Sequence, residues 1–392
     1  MPHDQDIIGL PGLKVIGVVQ SQNLVFDVRC DLEPSCVHCG AQGCRIKASF
    51  IRVVRHESMG CRRSILHIRT HKFLCKTCGR YFNERIPGLM PFARATEPFK
   101  REVCLKHQEG ISQRSLSQSL KIGNATIERW YQKSMEVKIR ELNGRDCPKI
   151  LGIDEHFFTK NKGYATTFVN LQTHRVFDVT LGRSELSLRA YLSKLKGREN
   201  VKVVVMDLSS TYRSIVKKYF PNAMIVADRF HVIRLINHHF LKSWQHFDPE
   251  GRKNRGLLSL MRRHEWNLSL DQERNLRKYL ENEVPVMNAI YDFKQSLCKY
   301  MLIKNANHEK VKEHAAPFLK HIEQLTDHPV ESLRRLGKTL HAWFDEVVRM
   351  WRFTKTNSIT EGLHTKMEMI SRRAYGFRNF KNYRLRVLVL CG

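Results

Sequence analysis

Acidic side chains are scarce. The 392-residue sequence carries 38 Asp and Glu against 67 Lys and Arg, a formal net charge of +29 at pH 7. A compact chain with that imbalance repels itself unless a polyanion neutralises it, which makes nucleic acid the first partner to consider; a basic surface kept for solubility is the alternative. No apolar run approaches the length needed to span a bilayer, which excludes a transmembrane segment and leaves no membrane partner in view. The opening "MPHDQDIIGLPGLKVIGVV" places acids ahead of its apolar residues and has no basic n-region, unlike a secretory signal. No repeat or low-complexity tract appears, and the length suggests two to four units with ample core. The 11 cysteines are odd in number and unevenly spread, which fits a reducing compartment better than a disulfide framework. These features together predict a cytoplasmic protein.

Two of the cysteine groups share a pattern, "CVHCG" from Cys36 and "CKTCG" from Cys75. A two-residue gap lets both thiolates of a tight turn face one tetrahedral ion, and the glycine after each second cysteine lets the backbone turn back. Cys36, Cys39, Cys75 and Cys78 are therefore candidate ligands of a structural Zn2+, with His38, Cys30, Cys44 or Cys61 as possible replacements and a reduced thiol pair as the plain alternative. Between the pairs, "FIRVVRH" and "SILHIRTHKF" read as the strands of a basic hairpin.

Residues 99 to 135 divide into three helical pieces. Gly110 ends the first; Ser112 can cap the second, in which Leu116 and Leu120 share a face; Gly123 breaks the chain before Ile127, Trp130 and Tyr131 of the third. The layout is that of a helix-turn-helix whose last helix presents Asn124, Thr126, Arg129, Gln132 and Lys133 to DNA. A plain three-helix packing unit explains the same periodicity.

From Lys149 the pattern turns to strands: "KILGIDEHFF", "YATTFVNLQ" and "HRVFDVTLG" with hairpin spacing, the helical "SELSLRAYLSKLK", the apolar "VKVVVMDL", a helix marked by Tyr212, Ile215, Val216 and Tyr219, and a fifth strand in "AMIVADRFHV". A crossover sets the fourth strand beside the first, and its continuous apolar run implies burial on both faces. Three strands, helix, strand, helix, strand is the order of a ribonuclease H-like mixed-sheet core. It brings Asp154 near Asp207, and paired carboxylates raise one another's pKa unless cations sit between them. Mg2+ or Mn2+ suits such hard oxygen ligands and phosphoryl transfer. Taken singly, Asp154 reads equally as a polar strand end and Asp207 as part of a helix start.

These motifs, together with "IVADRFHVIRL" and "TEGLHTKMEMISRRAYGFRNFKNYRLRVL", give the chain a resemblance over nearly its full length to the ISL-three family of DDE transposases. The resemblance implies a catalytic and metal-binding triad of Asp154, Asp207 and Glu361, with Asp228 and His231 of second rank. Ser358 stands three residues before Glu361, so a capping box is the competing role for that glutamate, and Asp228 with His231 reads equally as a strand-end pair. The basic stretch from Phe240 to about Thr354 is expected to be an all-helical insertion with its tryptophans mostly in the core. The closing segment sets Arg372, Arg373, Arg378, Lys381, Arg384 and Arg386 among Tyr375, Phe377, Phe380 and Tyr383, a pattern suited to phosphates beside the active site or to a solvated helix.

The expected α/β multidomain order is a zinc-ribbon-like domain over 1–92, a helix-turn-helix over 93–147, the first part of the core over 148–239, the insertion over 240–354 and the rest of the core over 355–392. The resemblance further implies double-stranded transposon ends and target DNA as partners, and a homo-oligomer on DNA. A catalytically inactive DNA-binding regulator derived from such an enzyme is the alternative.

Overall fold

The computed structural model describes residues 8–142, 144–282, 284–353 and 358–392. The chain divides into two compact units, Met1–Lys138 with Arg373–Tyr375, and Ile139–Arg372 with Gly376–Gly392.

In the first unit, strands β1 (Leu13–Gln20), β2 (Leu24–Cys30), β3 (Arg45–Met59), β4 (Arg62–Leu74) and β5 (Tyr81–Asn83) form a sheet of order β1-β2-β4-β3, with β5 pairing β4. The expected basic hairpin is β3 and β4, antiparallel from Arg45↔Leu74 to Met59↔Arg62. Alternation buries Phe26, Val28, Val54, Leu66 and Ile68 on one face. Helices α1 (Glu97–Gln108), α2 (Gln113–Leu120) and α3 (Asn124–Leu142) follow. The Thr96 hydroxyl accepts from the Phe99 amide and Ser112 from the Ser115 amide, capping α1 and α2. Phe99, Val103, Leu116, Leu120 and Ile127 then close a small core between the helices.

In the second unit, β6 (Ile150–Thr159), β7 (Gly163–Asn170) and β8 (Arg175–Leu181) form an antiparallel meander. Helix α4 (Glu185–Leu192) is shorter than the sequence suggests, because the chain leaves it at Ser193. It leads to β9 (Val203–Met206), then α5 (Ser210–Tyr219) and β10 (Met224–Ala227), giving the order β10-β9-β6-β7-β8. β9 lies parallel to both β6 and β10, and all four of its side chains are buried. The fifth strand ends at Ala227 rather than running through Val232. Helix α6 (Arg229–Phe247) takes over, since Val232, Ile236, Phe240 and Trp244 fall on one buried face at helical spacing, which outweighs the strand preference of Phe and Val. The helix passes without interruption through Phe240, so the helical region begins at Arg229, earlier than expected.

Helices α7 (Arg255–Arg262), α8 (Leu270–Asn282), α9 (Pro285–Met301), α10 (His308–Thr326), α11 (Glu331–Ala342) and α12 (Phe344–Arg349) continue the unit. Trp244, Trp343 and Trp351 are buried there, whereas Trp266 is 42% exposed. The chain closes with α13 (Ser358–Arg373) and α14 (Phe380–Cys391). No described helix is long and apolar enough to cross a membrane.

Candidate functional site

The first unit holds a thiolate cluster. Two knuckles with the same wiring build it: Gly40 N–H donates to Cys36 C=O at 2.9 Å and Gly79 N–H to Cys75 C=O at 3.0 Å, while the Cys36 and Cys75 amides donate to Ala41 and Arg80. Gly40 and Gly79 adopt φ of 75° and 68°, the left-handed region this turn requires. Cys36 Sγ lies 3.7 Å from Cys78 Sγ and Cys39 Sγ 3.6 Å from Cys75 Sγ. Tetrahedral Zn–S bonds of about 2.3 Å give sulfur separations of about 3.8 Å, so the cluster fits zinc. Backbone N–H groups of Cys78 and Thr77 hold the Cys75 thiol down to about 6, which favours the thiolate ligand. Among the described residues these four cysteines are the one group in which three or more thiol, imidazole or carboxylate ligand atoms gather within 4.8 Å; Cys30, Cys44, Cys61 and His38 are not part of it.

On α3, Asn124, Arg129, Gln132 and Lys133 are exposed and Thr126 is half-buried. Arg129 Nη2 donates to Thr126 Oγ1 at 3.3 Å and Gln132 Nε2 to Glu128 Oε1 at 2.6 Å, so two of the expected DNA contacts are held in place by neighbours on the same helix.

The second unit holds a row of acids. Ile153 of β6 pairs Met206 of β9, which pairs Ala227 of β10. The next residue along each is Asp154, Asp207 and Asp228, so register alone sets three carboxylates side by side at the level where the parallel strands β9 and β10 end, with Asp154 midway along the longer β6. This is where open α/β sheets place ligands. Asp154 and Asp228 are buried, 6% and 1% exposed. Asp154 Oδ1 accepts from the Glu155 amide at 2.8 Å, and His231 Nε2 lies 3.7 Å from Asp228 Oδ2. Asp207 Oδ1 is buried and meets no donor among the described residues.

Burial pushes the Asp154 carboxyl up to about 7, with the charges of Asp207 and Asp228 adding to the rise and His231 opposing it. Burial also raises Asp207, helped by Glu155 and Asp228 and opposed by His231. Crowded acids with an orphaned oxygen are what a divalent cation would relieve, and carboxylate oxygens are the donors Mg2+ and Mn2+ prefer.

Glu361 lies in the first turn of α13 and is exposed. The capping contact expected of Ser358 lies outside the described side chains. Helix α13 reaches the row, because His364, one turn beyond Glu361, brings Nδ1 to 3.8 Å from Asp154 Oδ2. His364 Nε2 is 3.2 Å from Thr167 Oγ1, which also meets His156 Nδ1 at 2.9 Å, and His156 Nε2 meets Tyr383 OH at 2.9 Å. Burial holds His156 down to about 3, with the neighbouring His364 contributing, and His364 down to about 4, with His231 contributing, so both rings are neutral. Of these, His364, His156 and Thr167 were not singled out in the sequence, and Tyr383 was named only as an aromatic of the basic closing segment; "EGLH", a histidine one helical turn after the glutamate, was the available signal.

In the closing segment Arg372, Arg373, Arg378 and Lys381 are exposed, and Arg372 pairs with Glu368 at 2.7 Å. Arg384 is committed internally instead: its guanidinium donates twice, at 2.7 Å each, to the buried carboxylate of Asp178 on β8. Arg386 stacks over Phe377, 5.5 Å from the ring centre.

A family model of ISL-three DDE proteins, described as a transposase, matches residues 151–387. The transposase for insertion sequence element IS1001 of Bordetella parapertussis is 23% identical over 365 residues, 90% of this chain and 87% of the relative. A match that starts at the strand bearing Asp154 and runs through the helix bearing Tyr383 takes in every acid of the row, and the chain belongs to the ISL-three family of insertion-sequence transposases.

Proposed function

We propose that the protein binds the terminal inverted repeats of its own element and catalyses metal-dependent DNA strand cleavage and transfer. The observation that carries the reading is the register of β6, β9 and β10, which aligns Asp154, Asp207 and Asp228 and leaves Asp207 Oδ1 buried without a donor. The second unit's sheet is read as a ribonuclease H-like core that continues, beyond the helical stretch, into α13 and α14.

Asp154 and Asp207 would hold Mg2+ or Mn2+, with Glu361 as the third acid and Asp228 with His231 beside them. Such an ion, when bound, activates water and stabilises charge on the phosphate oxygens. The chain's own groups do the rest. Ionised Asp154 and Asp207 supply oxygen ligands at positions fixed by the strands. Arg372, Arg373, Arg378 and Lys381 offer phosphate contacts, while the zinc knuckles and α3, through Asn124, Thr126, Arg129, Gln132 and Lys133, position the duplex. Water, and then the freed 3′ hydroxyl, would attack phosphodiester bonds in line, with no covalent protein intermediate. Handling two ends together calls for a homo-oligomer on DNA.

Asp207→Asn is expected to abolish Mg2+-dependent nicking of the element's ends while end binding survives. If the wild-type chain bound its ends tightly but cut them with neither Mg2+ nor Mn2+, the protein would be a transposase-derived regulator.

A further inference from the structure

The second oxygen of Asp154 faces a chain of coupled side chains. Thr167 is its cross-strand partner on β7, fully buried, and Thr167 Oγ1 is shared by two imidazoles, His156 Nδ1 at 2.9 Å and His364 Nε2 at 3.2 Å. The far nitrogen of His156 meets Tyr383 OH at 2.9 Å, and the far nitrogen of His364 faces Asp154 Oδ2 at 3.8 Å. The hydrogen-bonded array therefore runs Tyr383, His156, Thr167, His364 and links α14, β6, β7 and α13, with Asp154 at its end in a 3.8 Å polar approach that is longer than a hydrogen bond.

Its polarity follows from counting protons. A neutral imidazole has one N–H and a threonine hydroxyl has one hydrogen. If Tyr383 donates to His156 Nε2, then His156 Nδ1–H donates to Thr167, Thr167 donates to His364 Nε2, and His364 presents Nδ1–H to Asp154. The opposite polarity would present the bare Nδ1 lone pair to a carboxylate, which is repulsive. An ionised Asp154, the form that would hold a cation, selects the first arrangement, and the hydrogen bond made by one ring nitrogen sets the state of the other.

We propose that Tyr383, His156, Thr167 and His364 form a directional hydrogen-bond array that orients the Asp154 carboxylate for its cation and fixes the helix carrying Glu361 against the sheet. His364 and Thr167 are positioning residues in this account, which rests on the reading of Asp154 as a metal ligand. Side chains that orient metal-binding groups typically change metal affinity or activity by about 10- to 100-fold when removed.

The test uses the full chain, with metal and DNA measured separately. In spectra of the 15N-histidine-labelled, metal-free protein recorded well above pH 7, where the Asp154 carboxyl, raised to about 7, is ionised, His156 and His364 are expected to carry their protons on Nδ1; a His364 ring protonated on Nε2 under those conditions would overturn the array. Titration with Mn2+ alone is expected to show binding weakened about 10- to 100-fold by Thr167→Val and His364→Ala, with nicking reduced by a similar factor and end binding unchanged. Thr167→Ser, which restores the hydroxyl, is expected to recover both, so the Val/Ser pair decides the matter even if His364→Ala fails to fold. Wild-type Mn2+ affinity and nicking in Thr167→Val would sink the proposal. Asp207→Asn separates the two levels: if it still nicks, the reading of the site fails, whereas if it is inactive and Thr167→Val behaves as wild type, only the array fails.

Discussion

The thiolate cluster of the first unit and the acid row of the second differ in how completely the backbone assembles them. The four sulfurs sit at tetrahedral spacing, whereas the aspartates stand in a row without gathering three ligand atoms within 4.8 Å. Each knuckle is a local turn that brings two thiolates together, so only one long-range contact remains to be made. The acids come from separate strands and carry like charge, so the fold aligns them against their own repulsion. A closed shell suits a structural ion, and an open row leaves room for water and phosphate.

The sharpest break of this comparison is removal of a thiolate. Cys75→Ser, or a strong chelator, is expected to unfold the knuckle region, because its core is little more than Cys36, Cys75 and the stacked Phe73 and Phe82; structural zinc contributes on the order of 10 kcal/mol in small domains. Limited proteolysis and zinc content check it, and a metal-free protein that resists protease as well as the loaded one would refute it. Next in size is a carboxylate of the second unit that does have its partner. Arg384→Met leaves Asp178 buried without its double donor and is expected to cost about 3–5 kcal/mol in urea denaturation.

The acids of the row should behave in the opposite way. The folded-state pKa of Asp154 is raised from 3.8 to about 7, so between those values the folded protein binds more protons than the unfolded chain. The Asp154 contribution to metal-free stability is therefore fully present below about pH 4 and is lost as pH rises toward 7. The buried His156 and His364, held down to about 3 and about 4, contribute in the opposite direction over the same window, so the Asp154 share is read against Asp154→Asn, whose metal-free stability is expected to gain on the wild type as pH rises toward 7; a difference that did not widen with pH would contradict the crowding. The smallest effect is a modest gain: Asp207→Asn should raise the metal-free denaturation midpoint at neutral pH, since an amide relieves a carboxylate raised by burial, one oxygen of which meets no donor among the described residues. A lower midpoint would mean that Asp207 has a stabilising partner.

Much of this was legible in one dimension. The adjacency of Asp154 and Asp207 followed from an apolar run that had to be a buried parallel strand, and both cysteine pairs announced themselves by spacing. Asp228 was harder to rank, because only the register from Ile153 through Met206 to Ala227 shows that it stands in the same row. Arg384 looked like its basic neighbours, yet it faces Asp178 while Arg378 and Lys381 face solvent. The residues after Ala227 read as strand by composition, and burial of one helical face decided otherwise. His364, Thr167, His156 and Tyr383 carry no local signature as a group, since they meet only when α13 and α14 pack on the meander.

By itself, then, the sequence determined the knuckles, the capped helices of the first unit, the meander and the strand ends that carry acids. Those depend on turn chemistry, side-chain periodicity and hydrophobic runs, all interactions between residues close in the chain. Tertiary structure alone decided which arginine is a structural ion pair, that Asp228 joins the row, and that a histidine faces Asp154. Those outcomes depend on register and packing between segments far apart in sequence, where burial and pairing, rather than residue type, set what a charged or polar side chain does.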